Sequence, residues 1–401
     1  MSIDYDKYLL KLGVRRSYDV DLPYITELNQ RWHHLYIIGK SGMGKSTLME
    51  NMADYDIKFG LSVIYIDPKG DSVNRLIGNA NTKYISFQHP VKMNPLRKKG
   101  YKIDNLIRSF IDVMDIMITE TSINPTATSR MKQILSKAIK GLREEDRNLY
   151  KLNEFLSFRD VRNHYRFTDP SIGKWFKEIE DTKGGGFKLV SEYATTMAGI
   201  ASRLSQFVEN EEMNQFISKD ENEFDISSII ENGQSLLINT STGDPDNPVF
   251  LSALMLHSIY SYIRENEVKY PIMVYLDEFQ QIANSSFPSL LQFGRGRHVG
   301  FTMAHHDFQA IEPKVLSAIF GISNSFVSFN CGDTEAERLA KIVRVSASTI
   351  MDLPKFQAYS RIGTSNSYFE TYPPIKESFQ PPPIEETEPL YNFLSNDWIV
   401  V

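Results

Sequence analysis

One cysteine, Cys331, occurs in 401 residues, which excludes an intrachain disulfide and any metal site built from several cysteines. A reducing, cytoplasmic setting fits, with docking on a membrane complex left open. No N-terminal stretch has the charged start and apolar middle of a secretory signal. Long apolar runs are missing too: the best, Phe250 to Ile263, is interrupted by Ser252, His257, Ser258 and Ser261, so no intrinsic membrane span is expected. Nor does charge of one sign dominate. Lys and Arg number 44 against 50 Asp and Glu, for a net charge of −6, which does not advertise a nucleic-acid binder. A ring-shaped assembly can nevertheless confine its basic groups to a pore.

What is present is more specific. In "YIIGKSGMGKSTLMENM", Tyr36 to Met52, a short apolar run leads into Gly39-x-x-x-x-Gly44-Lys45-Ser46 and then into a helical pattern. Glycines let successive backbone N–H groups converge on a phosphate with no Cβ in the way. Lys45 adds a positive charge, Ser46 a hydroxyl for Mg²⁺, and the helix N-terminus faces the phosphates. This is the P-loop pattern in its strand-to-helix context. The expected nucleotide contacts are Gly39, Ser41, Gly42, Met43, Gly44, Lys45, Ser46 and Thr47.

Four strand-like runs, Leu35–Ile38, Val63–Ile66, Leu236–Asn239 and Ile272–Leu276, alternate with helical patterns, as a mostly parallel α/β sheet requires. Between the second and third lies a block from about Asp104 to Phe224 with apolar residues at helical spacing (Leu106, Phe110, Val113, Ile116; Met131, Ile134, Leu135, Ala138). It reads as an inserted helical subdomain. The expected organisation is an N-terminal segment 1–30, a first core segment 31–103, a helical insert 104–224, a second core segment 225–376 and a Pro-rich acidic tail 377–401 ending in an apolar cluster. "DTKGGGFK", Asp181 to Lys188, reads as a glycine-rich loop inside the insert.

Three further stretches carry candidate chemistry. In "SVIYIDPKGDSVNRL" a strand ends in Asp67-Pro68-Lys69-Gly70-Asp71; ligands of open α/β sheets sit beyond strand carboxyl ends, so this loop is either a site element or a plain turn. "PIMVYLDEFQQIA" ends a strand in Asp277-Glu278. Adjacent carboxylates there divide two tasks, Asp277 holding Mg²⁺ and Glu278 acting as base toward the attacking water. In "FGRGRHVGFTMAHHDFQAI", Arg295 and Arg297 precede an apolar run ending in His305-His306. An arginine delivered to a γ-phosphate stabilises the transition state; the alternative is a solvated surface turn. The two histidines lack further ligands at suitable spacing, so a metal pair is not expected.

These stretches in this order, together with "KMNPL", "ISNSFVSFNCGDTEAERLAKIV" and "LPKFQAYSRI", resemble the HerA/FtsK superfamily of P-loop ATPases over about Arg31 to Pro374. The similarity is greatest to type IV secretion coupling proteins of the TraD/TraG type and to HerA-like DNA translocases. It implies a RecA-like P-loop ATPase core with an inserted all-helical subdomain, assembled as a homo-oligomeric, usually hexameric, ring that moves DNA through its pore with ATP and Mg²⁺. Lys45 and Ser46 would then contact phosphates and Mg²⁺, and Arg295 matches the family's arginine. His306 stands where relatives carry a glutamine sensor of the γ-phosphate. The transmembrane pair of membrane-anchored coupling proteins is not expected, and the segment before Arg31 is too short for HerA's β-barrel. Implied partners are DNA and secretion, relaxosome or packaging proteins. Lys92, Arg97, Lys98, Lys99 and Lys102 form the candidate DNA-binding patch, or else a solvated loop. A viral genome-packaging ATPase belongs to the same mechanical class; a nucleotide-gated assembly module that moves nothing is the reading of a different class. A small-molecule kinase would leave the helical insert and the arginine segment without a use.

Overall fold

The structure is a computed structural model that describes residues 4–17, 20–79, 81–119, 125–180, 187–220, 224–244, 246–283 and 287–376. The expected tail 377–401 and most of the glycine-rich loop lie outside the described residues. The chain divides into two compact units, one made of residues 1–89, 226–243 and 266–401, the other of 90–225 and 244–265.

The first unit is built on a sheet of eleven strands: β1 (Leu9–Ser17), β2 (Val20–Glu27), β3 (Leu35–Ile38), β4 (Ser62–Asp67), β5 (Thr82–Ile85), β6 (Ser235–Asn239), β7 (Ile272–Leu276), β8 (Val299–His305), β9 (Ser325–Ser328), β10 (Gln357–Ile362) and β11 (Ser365–Thr371). Their spatial order is β2-β1-β11-β10-β9-β3-β8-β7-β4-β6-β5. From β9 to β5 every pairing is parallel, whereas β10, β11, β1 and β2 extend the sheet antiparallel. β3, β4, β6, β7 and β8 are buried at every position, which explains their unbroken apolar runs: helices cover a parallel sheet on both faces. The four strands expected from sequence are all present, the N-terminal segment adds a hairpin to the sheet, and the fold is the RecA-like P-loop α/β fold.

A buried ion pair ties this N-terminal hairpin to the core. Arg31 reaches Asp56 of the helix Lys45–Phe59 (Nη2 to Oδ2, 3.2 Å), and the hydroxyls of Tyr8 and Tyr275 donate to the same carboxylate. The helix that starts at the P-loop is thereby fixed to β7, the strand that Asp277 follows.

The second unit is helical. Leu106, Phe110, Val113, Met131, Ile134, Leu135 and Ala138 are all buried, so both apolar stripes face its core. Phe207 and Phe250 stack at 3.9 Å between ring centroids, joining the helix Phe187–Val208 to the helix Asp246–Glu265. No helix among the described residues is long and apolar enough to cross a membrane.

Candidate nucleotide site

Parallel strands place their carboxyl ends along one edge, and the residues expected to do chemistry gather there. Gly44 adopts φ +119°, a left-handed conformation, immediately before the helix Lys45–Phe59, and an added Cβ would come within 2.9 Å of the Phe356 ring. At Gly39 a Cβ would meet that of Phe329 at 2.6 Å, so the loop can pass β9 only without a side chain. Ser41 and Gly42 are exposed, Met43, Ser46 and Thr47 half-buried, and Lys45 buried. The loop is anchored by Lys40 N–H donating to Asn330 O (2.7 Å) and by Phe356 N–H donating to Met43 O (2.8 Å).

The Lys45 ammonium donates to Gly39 O at 2.7 Å and lies 2.9 Å from His306 Nδ1. Burial pushes its pKa down to about 8 and Lys69 adds repulsion, only partly offset by Asp277 and Glu278. Ser46 Oγ donates to Asp277 Oδ2 at 2.8 Å, so the two groups expected to hold Mg²⁺ are adjacent. Asp277 is buried, and its pKa is raised by burial and by Glu278, against the Ser46 hydrogen bond. At the end of β4, Asp67 is likewise pushed up to about 6, by burial and then by Asp277.

Glu278 follows Asp277 with φ +46°, unusual for a residue with a Cβ, which turns its side chain back over the strand end. Its carboxylate is fully engaged. Oε1 takes the Lys69 ammonium and His306 Nε2 (2.8 Å), and Oε2 accepts from the Gln280 amide at 2.7 Å. Burial alone would raise the Glu278 pKa, but the bonds from His306, Lys69 and Gln280 outweigh it and hold the carboxyl well below the usual range. His306 thus joins Lys45 to Glu278. An ammonium donating to Nδ1 leaves Nε2–H to donate to the carboxylate, which fixes the ring as the Nε2–H tautomer.

The Ser46 hydroxyl and the buried Asp277 carboxylate, 2.8 Å apart, suit a hard divalent cation. Among the described residues no group of three His, Cys, Asp or Glu side chains can hold a metal ion unaided. Mg²⁺ fits that combination, because it binds through one or two protein oxygens together with substrate phosphates and water.

Arg295 is not among these residues. It ends the helix Phe287–Arg295, ahead of the first residue of β8, and is exposed next to His33, at the amino ends of the strands. Arg297 is half-buried there and donates to Asn266 O at 2.7 Å. The five-residue basic patch belongs to the helical unit. Two of its members are committed within that unit: Lys92 donates to Asn214 O at 2.9 Å, and Lys98 pairs with Asp225 (3.4 Å) over the Tyr101 ring. Arg97 is half-buried, and Lys99 and Lys102 are exposed.

Sequence reading did not find the role of Gln280, two residues after Glu278, and left Lys69 undecided between site and turn. The charged loop Asp67-Pro68-Lys69-Gly70-Asp71 at a strand's carboxyl end was the available signal.

Known structures share this fold. The unbound conjugative coupling protein TrwB lacking 70 N-terminal residues is 15% identical with a TM-score of 0.69, covering 92% of this chain and 91% of that one. TrwB bound to ADP and Mg²⁺ is 16% identical with a TM-score of 0.69, covering 95% and 93%. VirB4 of Thermoanaerobacter pseudethanolicus is 11% identical with a TM-score of 0.62, covering 93% and 98%. No curated protein sequence matches. Residues 18–254, which run from the N-terminal hairpin through the P-loop and the helical unit, match the family described as the central domain of helicase HerA. The chain belongs to that family.

Proposed function

We propose that this protein hydrolyses ATP and uses the energy to move DNA through a homo-oligomeric, hexameric ring, in conjugative transfer or a related process. The observation that carries the reading is the convergence of Lys45, Ser46, Asp277 and Glu278 at the carboxyl ends of β3 and β7, with Ser46 and Asp277 2.8 Å apart. The P-loop backbone and Lys45 bind the phosphates; Ser46 and Asp277 hold Mg²⁺, which when bound neutralises charge on the phosphate oxygens. Glu278 orients the attacking water and takes its proton, and His306 senses the terminal phosphate through its links to Lys45 and Glu278. Arg295 serves the site of a neighbouring subunit. The organisation expected from sequence, with the insert at 104–224 and a C-terminal tail that docks on a neighbour or partner, belongs to this proposal.

Membership in the HerA family and the TrwB-like fold support a nucleotide-driven motor. The test is ATP hydrolysis with and without DNA. Several-fold stimulation by DNA, lost in Glu278→Gln, is expected of a motor; ATP binding with hydrolysis indifferent to DNA would favour the assembly module instead.

A further inference from the structure

The loop after β4 supplies a side chain that the proposed hydrolysis does not use. Lys69 leaves the strand end next to β7 and pairs with Glu278 Oε1, yet it is half-exposed, whereas its partner is 6% exposed. The loop that carries it is rigid. Asp67 Oδ1 accepts from the Lys69 N–H (2.9 Å) and Oδ2 from the Ser72 N–H (2.8 Å), while Gly70, at φ +80°, packs so closely on Asn239 that a Cβ would lie 2.5 Å from its amide nitrogen. A tied-down backbone thus delivers a long, half-exposed cationic side chain to the carboxyl end of β4, beside Glu278. Lys45 lies near enough to Lys69 for the two charges to repel, and one imidazole links the partner of each: His306 touches both Lys45 and Glu278.

We infer that Lys69 is a second phosphate-binding lysine, which holds Glu278 while the site is empty and turns to the terminal phosphate of a bound nucleoside triphosphate. The exchange replaces one charge-assisted contact with another, so it costs little, and the incoming dianionic terminal phosphate outcompetes a single carboxylate. It also removes one of the two donors on Glu278 Oε1, leaving His306 in place and opening a position on that oxygen for the attacking water. A diphosphate lacks the group that draws Lys69 away. Lys69 therefore discriminates ATP from ADP and couples that discrimination to the release of the base. Lys45, by contrast, serves both nucleotides.

This inference rests on the nucleotide-site reading, and one set of binding measurements separates the two. ATP and ADP affinities, each with Mg²⁺, are compared for Lys69→Gln and Lys69→Arg in a Glu278→Gln background, where hydrolysis is suppressed and the salt bridge is already gone. Lys69→Gln should weaken ATP about tenfold while ADP stays within about twofold, and Lys69→Arg should recover most of the loss. Unchanged ADP binding also shows that the variant is folded. Equal loss for both nucleotides, or no loss, overturns the inference. A loss of ATP affinity seen only when Glu278 is intact also overturns it, because Lys69 would then act solely by masking the carboxylate. Lys45→Ala tests the underlying reading: if it binds both nucleotides normally, the site itself is misassigned, whatever Lys69 does.

Discussion

Arg295 stands at the amino end of β8 and His306 just beyond its carboxyl end. Seven residues of strand separate the two ends, about 20 Å at roughly 3.3 Å per residue. A side chain cannot cross that distance, so Arg295 does not reach its own phosphate site, and the proposed role toward a neighbour's site is the one to test. Arg295→Ala should bind ATP almost normally and lose about 10³–10⁵ in kcat, the range for an arginine that meets the phosphoryl group only in the transition state. Turnover should also rise with protein concentration as rings assemble. In an equimolar mixture of Arg295→Ala and Lys45→Ala subunits, each nearly inactive alone, about one interface in four pairs an intact Lys45 with an intact Arg295 in a head-to-tail ring. Activity should return to roughly that fraction, measured as phosphate release after subunit exchange. A ring of unsubstituted and Lys45→Ala subunits controls for any need that every site be competent. If that control turns over while the complementing mixture, shown to contain both variants, stays dead, action in trans is refuted.

Other consequences follow from named contacts. Glu278→Gln should retain ATP while kcat falls about 10²–10⁴-fold, whereas Lys45→Ala should lose ATP binding; equal affinity losses would contradict the division of roles. Asp56→Ala leaves the buried Arg31 charge uncompensated and takes the acceptor from two tyrosine hydroxyls, so denaturant unfolding should report a loss of about 3–5 kcal/mol, while Arg31→Met with Asp56→Leu, which removes the charge but leaves both hydroxyls without a partner, should restore only part of it. His34 is held neutral by burial, its pKa pushed down to about 4, with Nε2–H donating to Leu291 O and Nδ1 accepting from Phe301 N–H. Between pH 6.5 and 4 the unfolded chain binds the proton that folded His34 refuses, so stability should fall as pH drops through that window, and His34→Gln should flatten the dependence. DNA affinity should fall as salt rises, and neutralising Lys99 and Lys102 should reduce the slope; an unchanged slope removes these two from the DNA path.

Much of the site was legible because its signals are local. The P-loop, Asp277-Glu278 and the buried strands that deliver them are contiguous runs whose order of glycine, charge and apolar residue is dictated by phosphate geometry and by burial on both faces. β1, β2, β10 and β11 were not legible. Leu9–Ser17 mixes Lys and Arg with apolar residues because one face is exposed, and its partner β11 lies some 350 residues away, so no window of sequence contains the pairing. The Arg31–Asp56–Tyr275 cluster is hidden for the same reason: three polar residues read as surface until the fold buries them together. Lys69 and Gln280 were visible as residues, but their convergence on Glu278 depends on β4 lying beside β7, which is a property of the sheet order.

Movement along DNA is the central claim, and the most direct measurement is ATP-driven displacement of streptavidin from the ends of biotinylated single- and double-stranded DNA. Unsubstituted protein should strip the block from at least one of the two substrates only while ATP is hydrolysed, and Glu278→Gln should bind ATP and DNA yet displace nothing. Hydrolysis that DNA stimulates, with the block left in place on both substrates, would contradict translocation.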